Sequence, residues 1–349
     1  LNLFDRFKNQ LTKKNNFYMN KVILLNKRPH GKPVLSDFKI INEEVPTAKD
    51  GEVLLKTLFV SVDPYLRGRM NDAKSYAPPF ELNKPMQSGI IAEVIESKHG
   101  DFKKGDFVSG MLGWKEYQTS NGQYLQKVDG SDTKLSSYLG ILGMTGLTAY
   151  LGLTEIGMPK KGETLVVSGA GGAVGTVVGQ IGKILGCKVV GITGSDEKVA
   201  LLKSTFKFDQ AINYKTTTDI KEAVKSACPE GVDIYFDNVG GEISDAVLAN
   251  INKYARLPVC GAISLYNETK VPLGPRLQPI LLTKSATMRG FIIGDFSEKF
   301  PAALKQLTSW LKDDKITFSE TIVEGFDHIP QAFLDLFEGK NQGKMIVKI

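Results

Sequence analysis

The chain of 349 residues predicts an α/β protein, a doubly wound parallel sheet joined to a second, smaller β-rich domain. Three observations predict it. Residues 163–198 run as apolar strand, glycine turn, amphipathic helix and second strand. From about Gly140 onward apolar strands alternate with helical periods, whereas from Met19 to Asp129 short β-type runs are punctuated by Gly-Asp, Pro-Pro and Asn-Gly turn signals. The length exceeds what one hydrophobic core usually serves, so two domains are expected.

Taken in order, residues 1–18 are a basic lead-in of mixed polarity, expected to be an extension outside the fold; they lack the apolar stretch and small-residue cleavage site of a secretory signal. A first domain over 19–142 opens with a strand at Lys21–Leu25 and continues through Val53–Val62, Gly89–Glu96 and Phe107–Gly110. A second domain over 143–315 holds six apolar strands: Thr164–Ser168, Lys188–Thr193, Gln210–Tyr214, Val232–Asp237, Arg256–Gly261 and Thr287–Ile293. Its last helix spans Phe300–Leu311, with Leu304, Leu307 and Leu311 on one face. Residues 316–349 return to β texture at Glu320–Glu324 and Met345–Ile349, which predicts a return to the first domain.

The glycine turn carries the chemistry. No strict G-x-G-x-x-G occurs; the register is Ala170, Gly172 and Gly175, with Gly169 and Gly171 adding backbone freedom. Leu165, Val166 and Val167 precede it, and Val174, Val177, Val178, Ile181 and Ile184 follow at helical spacing. A helix that starts there offers unpaired N–H groups and the positive end of its dipole to a pyrophosphate, so the expected ligand is a dinucleotide. Folds that bind NAD tend to carry an acid at the end of the second strand, on the ribose 2′-hydroxyl. Here that position reads Gly194-Ser195, and Lys198 stands one turn into the next helix. Removing the carboxylate removes the repulsion against a 2′-phosphate, and the ammonium supplies attraction; NADPH is expected over NADH. Asp196 and Glu197 read as first-turn helix acids favoured by the dipole.

Composition excludes other classes. With 42% hydrophobic and 23% charged residues the chain is of ordinary globular make-up, and no apolar run is long enough to span a bilayer. A net charge of +6 from scattered basic residues predicts no nucleic-acid partner. Cys187, Cys228 and Cys260, with His30, His99 and His328, offer no paired ligand spacing for zinc. An odd set of distant cysteines points to a reducing, cytoplasmic compartment, and Cys187 and Cys260 lie in strand runs where inert buried thiols are expected.

Beyond the glycine turn at 168–175 (SGAGGAVG), segments 143–150 (GMTGLTAY), 194–198 (GSDEK), 236–241 (FDNVGG), 260–264 (CGAIS), 63–70 (DPYLRGRM) and 339–344 (GKNQGK) occur in one order. Together they resemble the zinc-independent medium-chain reductases, and most of all the prostaglandin reductases (leukotriene 12-hydroxydehydrogenases) and alkenal double-bond reductases. The resemblance runs from Met19 to Ile349. It implies a GroES-like first domain completed by the C-terminal segment, a Rossmann domain between, a cleft holding NADPH, and a homodimer. It further implies that Gly172, Ala173, Val174 and Gly175 line the pyrophosphate, Ser195, Lys198 and Tyr214 the 2′-phosphate end, and Asn238 the nicotinamide ribose. Thr145, Cys260, Gly261, Ala262, Phe291, Ile292, Ile293 and Asn341 would complete the pocket. Two departures from the family pattern stand out: an extra residue near Thr205-Phe206-Lys207, which bears on Tyr214, and Pro258, which cannot donate to a sheet ladder.

The activity implied is hydride transfer to the β-carbon of an α,β-unsaturated ketone or aldehyde, leaving negative charge on the carbonyl oxygen. Tyr266 is the expected donor to that oxygen, with the cofactor ribose hydroxyl as the other candidate, and Tyr65 is a second candidate for wall or donor. Tyr76, Phe80, Phe291 and Ile292 are expected to set substrate preference. Two other readings stay open on the sequence: a quinone reductase on the same scaffold, and an NADPH-binding protein without turnover.

Overall fold

A computed structural model describes residues 19–131 and 133–349; the proposed lead-in at 1–18 lies outside the described residues. The second domain holds a six-stranded parallel sheet built from Thr164–Ser168, Lys188–Thr193, Gln210–Asn213, Val232–Phe236, Ile251–Val259 and Thr287–Gly290. Numbered within the domain, these lie in the order 3-2-1-4-5-6. That is the dinucleotide-binding order, in which the chain reverses direction between strands one and four and leaves a crevice at their C-terminal ends. The first and fourth strands, at the centre of the sheet, are largely apolar because both their faces are covered; Leu165, Val166, Val167, Ile234, Tyr235 and Phe236 are all fully buried.

The first domain carries a seven-stranded sheet in which the C-terminal return takes part. Strand Lys344–Lys348 pairs antiparallel with Val53–Ser61, placing Ile346 opposite Ser61, and Glu320–Glu324 pairs parallel outside it. One core accordingly joins Ile23, Leu55, Val60, Met86 and Trp114 to Phe326, Ile329, Phe333, Met345 and Val347.

Three sequence expectations need correction here. The C-terminal segment is more than β texture, since Ile329–Phe337 is a helix. Its apolar residues Ile329, Ala332, Phe333 and Leu336 recur at helical spacing, Pro330 sits in the first turn, and Phe333 meets Phe38 and Trp114 edge-on. The fifth strand spans Ile251–Val259 rather than Arg256–Gly261. It ends early because the N–H groups of Cys260 and Gly261 both turn back onto the carbonyl of Asp237, at 2.8 and 3.1 Å. Pro258 is accommodated in it by serving as an acceptor, its carbonyl taking the Asp237 N–H at 2.9 Å. The sixth strand stops at Gly290 instead of Ile293, where Ile293–Lys299 forms a short helical turn.

Candidate active site

A cleft of about 880 Å³ opens where the strand order reverses, between the two domains. The turn after the first strand and the loop after the fourth form its floor, and the segment around Gly339–Lys344 closes one side.

The turn 169–172 leads into helix Ala173–Ile184, whose capping residue Gly172 offers no side chain. First-turn N–H groups of a helix have no partner within it, so those of Ala173, Val174 and Gly175 face the cleft as anion donors. Gly175 must be glycine, because a Cβ there would lie 2.5 Å from the carbonyl oxygen of Gly169 and 2.7 Å from the Cα of Ala170. The C-terminal segment is tied to the same turn, Gly343 donating its N–H to the Gly171 carbonyl at 2.9 Å. Asn341, also in the lining, donates to the Gly343 carbonyl at 2.8 Å.

At one end of the cleft Thr193, Gly194, Lys198, Tyr214 and Lys215 come together. The Tyr214 ring covers Gly194 closely, a Cβ there falling 3.0–3.2 Å from the ring and its hydroxyl. Lys198 is largely buried and donates from Nζ to the Gly339 carbonyl at 2.6 Å. Burial, with the charge of Lys215 added, lowers its pKa below the usual lysine range. The acids in reach are engaged elsewhere: Asp196 accepts from Asn213, and Glu338, beside Gly339 in the lining, pairs with Lys32 and Lys340.

At the other end stand Tyr65, Thr145, Asn238, Cys260, Gly261, Tyr266, Ile292 and Ile293. The Asn238 amide donates to the Ser168 carbonyl at 2.8 Å, and its backbone N–H to Ser168 Oγ at 2.9 Å. Behind it the buried Asp237 gathers the hydroxyls of Ser168 and Tyr235 and the N–H groups of Val239 and Gly240 onto Oδ1, all at 2.8–2.9 Å. That hub fixes the loop from which Asn238 projects. Thr145 is anchored to the Gly140 carbonyl at 2.9 Å. The Tyr266 hydroxyl accepts the Ala262 N–H at 3.3 Å, which leaves its own proton free for a ligand. Burial raises the pKa of Tyr266, the Ala262 N–H opposing it in part. Burial, then the charge of Asp63, pushes the Tyr65 phenol up further. The Cys260 thiol is pushed up to about 12 by burial and the charge of Asp237.

Most of the anticipated site residues line this one cleft. Ser195 does not: its hydroxyl oxygen caps the following helix, accepting the Lys198 N–H at 3.3 Å. Ala262 is also outside the lining and acts through its N–H on Tyr266. Phe80 is buried in the first-domain core with the Arg69 guanidinium 4.0 Å above its ring, so it cannot touch a substrate. Phe291 reaches the lining, but its ring is buried edge-on to both Phe236 and Phe296. The sequence did not single out Lys215, Met111, Met144 or Gly339, all in the lining; of these, Met144 and Gly339 fell within noted motifs. An adjoining chamber of about 830 Å³ shares Asp63, Met111, Met144 and Ile293 with the cleft and is walled by Leu142, Leu147 and Leu304. Among the described residues no group of three or more His, Cys, Asp or Glu is placed to hold a metal ion.

Two family profiles match the chain, one described as the N-terminal domain of oxidoreductase over residues 21–128, the other as zinc-binding dehydrogenase over residues 173–309. A Bacillus subtilis (strain 168) protein named as an NADP-dependent oxidoreductase, YfmJ, is 56% identical over 329 residues, covering 94% of this chain and 97% of that one. Prostaglandin reductase 1 of Bos taurus is 46% identical, covering 91% and 95%. The 2-alkenal reductase (NADP(+)-dependent) of Nicotiana tabacum is 44% identical, covering 95% and 97%. Among solved structures, CurA of Vibrio vulnificus in complex with NADPH superposes with a TM-score of 0.90 at 43% identity, over 94% of this chain and 98% of that one. Identity at this level across both domains settles the family: the chain belongs to the zinc-independent medium-chain dehydrogenases/reductases, in the branch of the prostaglandin and alkenal reductases.

Proposed function

We propose that the protein reduces the carbon–carbon double bond of α,β-unsaturated ketones and aldehydes with NADPH. The observation that carries this reading is a half-buried phenol, Tyr266, its pKa raised, standing in the same cleft as a glycine turn built for a pyrophosphate and a Lys198 ammonium that pairs with no carboxylate among the described residues. The residues fit the cofactor. Ala173, Val174 and Gly175 would hold the pyrophosphate on their N–H groups, Lys198 and Tyr214 the 2′-phosphate end, and Asn238, Cys260 and Ile293 the nicotinamide end. Bound there, NADPH supplies a hydride to an electron-poor carbon.

This chain's residues then have one task at the substrate: to receive the charge that appears on its carbonyl oxygen. Tyr266 can donate its proton toward that oxygen while the Ala262 N–H supports the phenol oxygen from behind. Tyr65 serves as wall and second donor from the opposite domain. Apolar lining at Met111, Met144 and Ile292 suits the hydrocarbon part of an enone. The test is NADPH oxidation, followed by absorbance, with alkenals, enones and quinones at equal concentration. Preferential turnover of quinones would replace this reading with a quinone reductase, and tight NADPH binding without turnover of any would make it a binding protein.

Lys198→Ala should weaken NADPH by about two orders of magnitude, the scale of removing one partner of a desolvated charge pair, and NADH by less than about three-fold. The lowered pKa gives a sign as well. Deprotonation of Lys198 removes the attraction, so NADPH affinity should fall with rising pH earlier than an ordinary lysine would allow. Calorimetric titration of both cofactors checks each point; equal losses for both would end the 2′-phosphate assignment.

Cys260 bears on the same chemistry, because enals alkylate thiolates. With its thiol held near 12 it stays neutral at pH 8, so excess enal without NADPH should leave it unmodified in intact-mass spectra while an exposed thiol control reacts.

We read residues 19–142 with 316–349 as one folding unit and 143–315 as the other. A cytoplasmic homodimer completes the proposal. Val271, Leu273 and Leu282 are 80–99% exposed, and Thr287–Gly290 is the edge strand of the parallel sheet, which suits pairing with a second copy.

A further inference from the structure

Arg67 is a buried cation, 3% exposed, on the short helix Leu66–Arg69 of the first domain. Its three hydrogen bonds go to neutral acceptors. Nη1 donates to Asn71 Oδ1 at 2.6 Å and Nη2 to the Gly31 carbonyl at 2.9 Å, both within its own domain. The third, from Nε, crosses to the other domain and meets Asn267 Oδ1 at 3.1 Å. Burying a guanidinium costs stability, and the Asp37 carboxylate, whose charge opposes that cost in part, is not among its hydrogen-bond partners. Its placement is therefore better explained by what it holds than by what it stabilises.

What it holds is the loop that carries Tyr266. On the N-terminal side the loop is fastened to the nucleotide-binding domain, Ser264 Oγ donating to the Val239 carbonyl at 2.6 Å. On the C-terminal side the first domain grips it. Besides the Arg67 bond, Gly31 lies beside the loop, where a Cβ would be in ordinary contact with Thr269 Cγ2 and the Asn267 carbonyl oxygen, at 3.5 and 3.7 Å. Tyr266 thus sits between two anchors belonging to different domains, and its hydroxyl position depends on their separation.

We infer that Arg67 is a positioning residue, a latch between the domains that, through Asn267, sets where Tyr266 presents its proton across the cleft. The inference rests on the reading of Tyr266 as the donor to the substrate oxygen. Displacement of a reacting group by about 1 Å is enough to cost up to roughly a hundred-fold in rate, so losing the latch should be visible in kcat while the cofactor pocket, anchored elsewhere, is undisturbed.

Asn267 is the partner to change, since Arg67 variants can fail to fold for want of a buried side chain. In Asn267→Ala, kcat for an enone should fall about ten- to a hundred-fold, with NADPH affinity unchanged and the melting temperature lowered by no more than about 10 °C, the effect of stranding one buried donor. Asn267→Asp keeps an acceptor for Nε and should retain kcat within about three-fold of wild type. In a Tyr266→Phe background, Asn267→Ala should add no further loss. Wild-type kcat in Asn267→Ala, or the same fold-loss in both backgrounds, would overturn the latch, as would an Asn267→Asp variant as slow as Asn267→Ala. If Tyr266→Phe alone turned over at the wild-type rate, the donor assignment itself would be at fault; if it were slow while Asn267→Ala was not, only the latch would fall.

Discussion

Tyr266→Phe should lower kcat for enone reduction by about ten- to a thousand-fold, the scale of removing one preorganised oxyanion donor, while changing NADPH affinity by less than about two-fold. The substitution keeps the ring that packs in the cleft and removes only the group that faces the substrate. Its hydroxyl accepts the Ala262 N–H at 3.3 Å, so the variant leaves one N–H in a half-buried loop without its partner, a small cost to folding. The pH behaviour follows from the direction of its shift. Burial raises the phenol above the ordinary tyrosine value, so it stays protonated through neutral and moderately alkaline pH, and the donor is present throughout. The wild-type kcat should accordingly show no loss between pH 7 and 9 that traces to this residue, and the deficit of the Phe variant should be constant over that range. Steady-state rates across pH measure both; unaltered turnover in the variant would remove Tyr266 from the mechanism and leave the ribose hydroxyl of the cofactor as the donor.

Local pattern made much of this molecule legible, and the limits of local pattern mark what was not. Alternating apolar strands and helical periods give the class of the nucleotide-binding domain, because a sheet covered on both faces needs continuous apolar runs. They do not give the strand order, which depends on packing between segments far apart in the chain. Phe38–Glu44, paired with Met19–Leu25, escaped notice because its sequence, FKIINEE, has one buried residue and a largely exposed remainder. Helix Ile329–Phe337 was hidden by its brevity among β-type neighbours. Within the site, the glycine turn and Lys198 fall within one strand–helix–strand unit and its following helix, and could be read from spacing. Phe80 was misjudged because an aromatic near Tyr76 looks like a pocket wall until Arg69 is seen covering it. The bonds from Lys198 to Gly339 and from Arg67 to Asn267 join residues 141 and 200 positions apart, and no periodicity reports such a contact.

Lys344→Met should destabilise the protein by about 3–5 kcal/mol, because it removes one half of a buried ion pair and strands the other. The Lys344 and Asp63 side chains are 4% and 6% exposed, with Nζ 3.2 Å from Asp63 Oδ1. Each charge is also fully engaged: Nζ donates to the carbonyls of Val62 and Met345 at 3.0 and 2.8 Å, and Asp63 Oδ2 accepts from the Ser61 hydroxyl. The pair lies where the C-terminal strand joins the first domain, next to the register position of Ile346 opposite Ser61, and two residues before Tyr65. Methionine matches the length and apolar stem of lysine, so packing is largely kept and the loss isolates the charge. A fall in melting temperature on the order of 10 °C is expected. Adding Asp63→Asn removes the stranded carboxylate and should recover most of the loss, since replacing both members of a buried pair costs far less than breaking it. Wild-type melting in the single variant would mean the carboxylate finds other solvation, and no recovery in the double variant would mean that the carbonyl bonds of Lys344, rather than its charge, fasten the C-terminal segment beside the cleft.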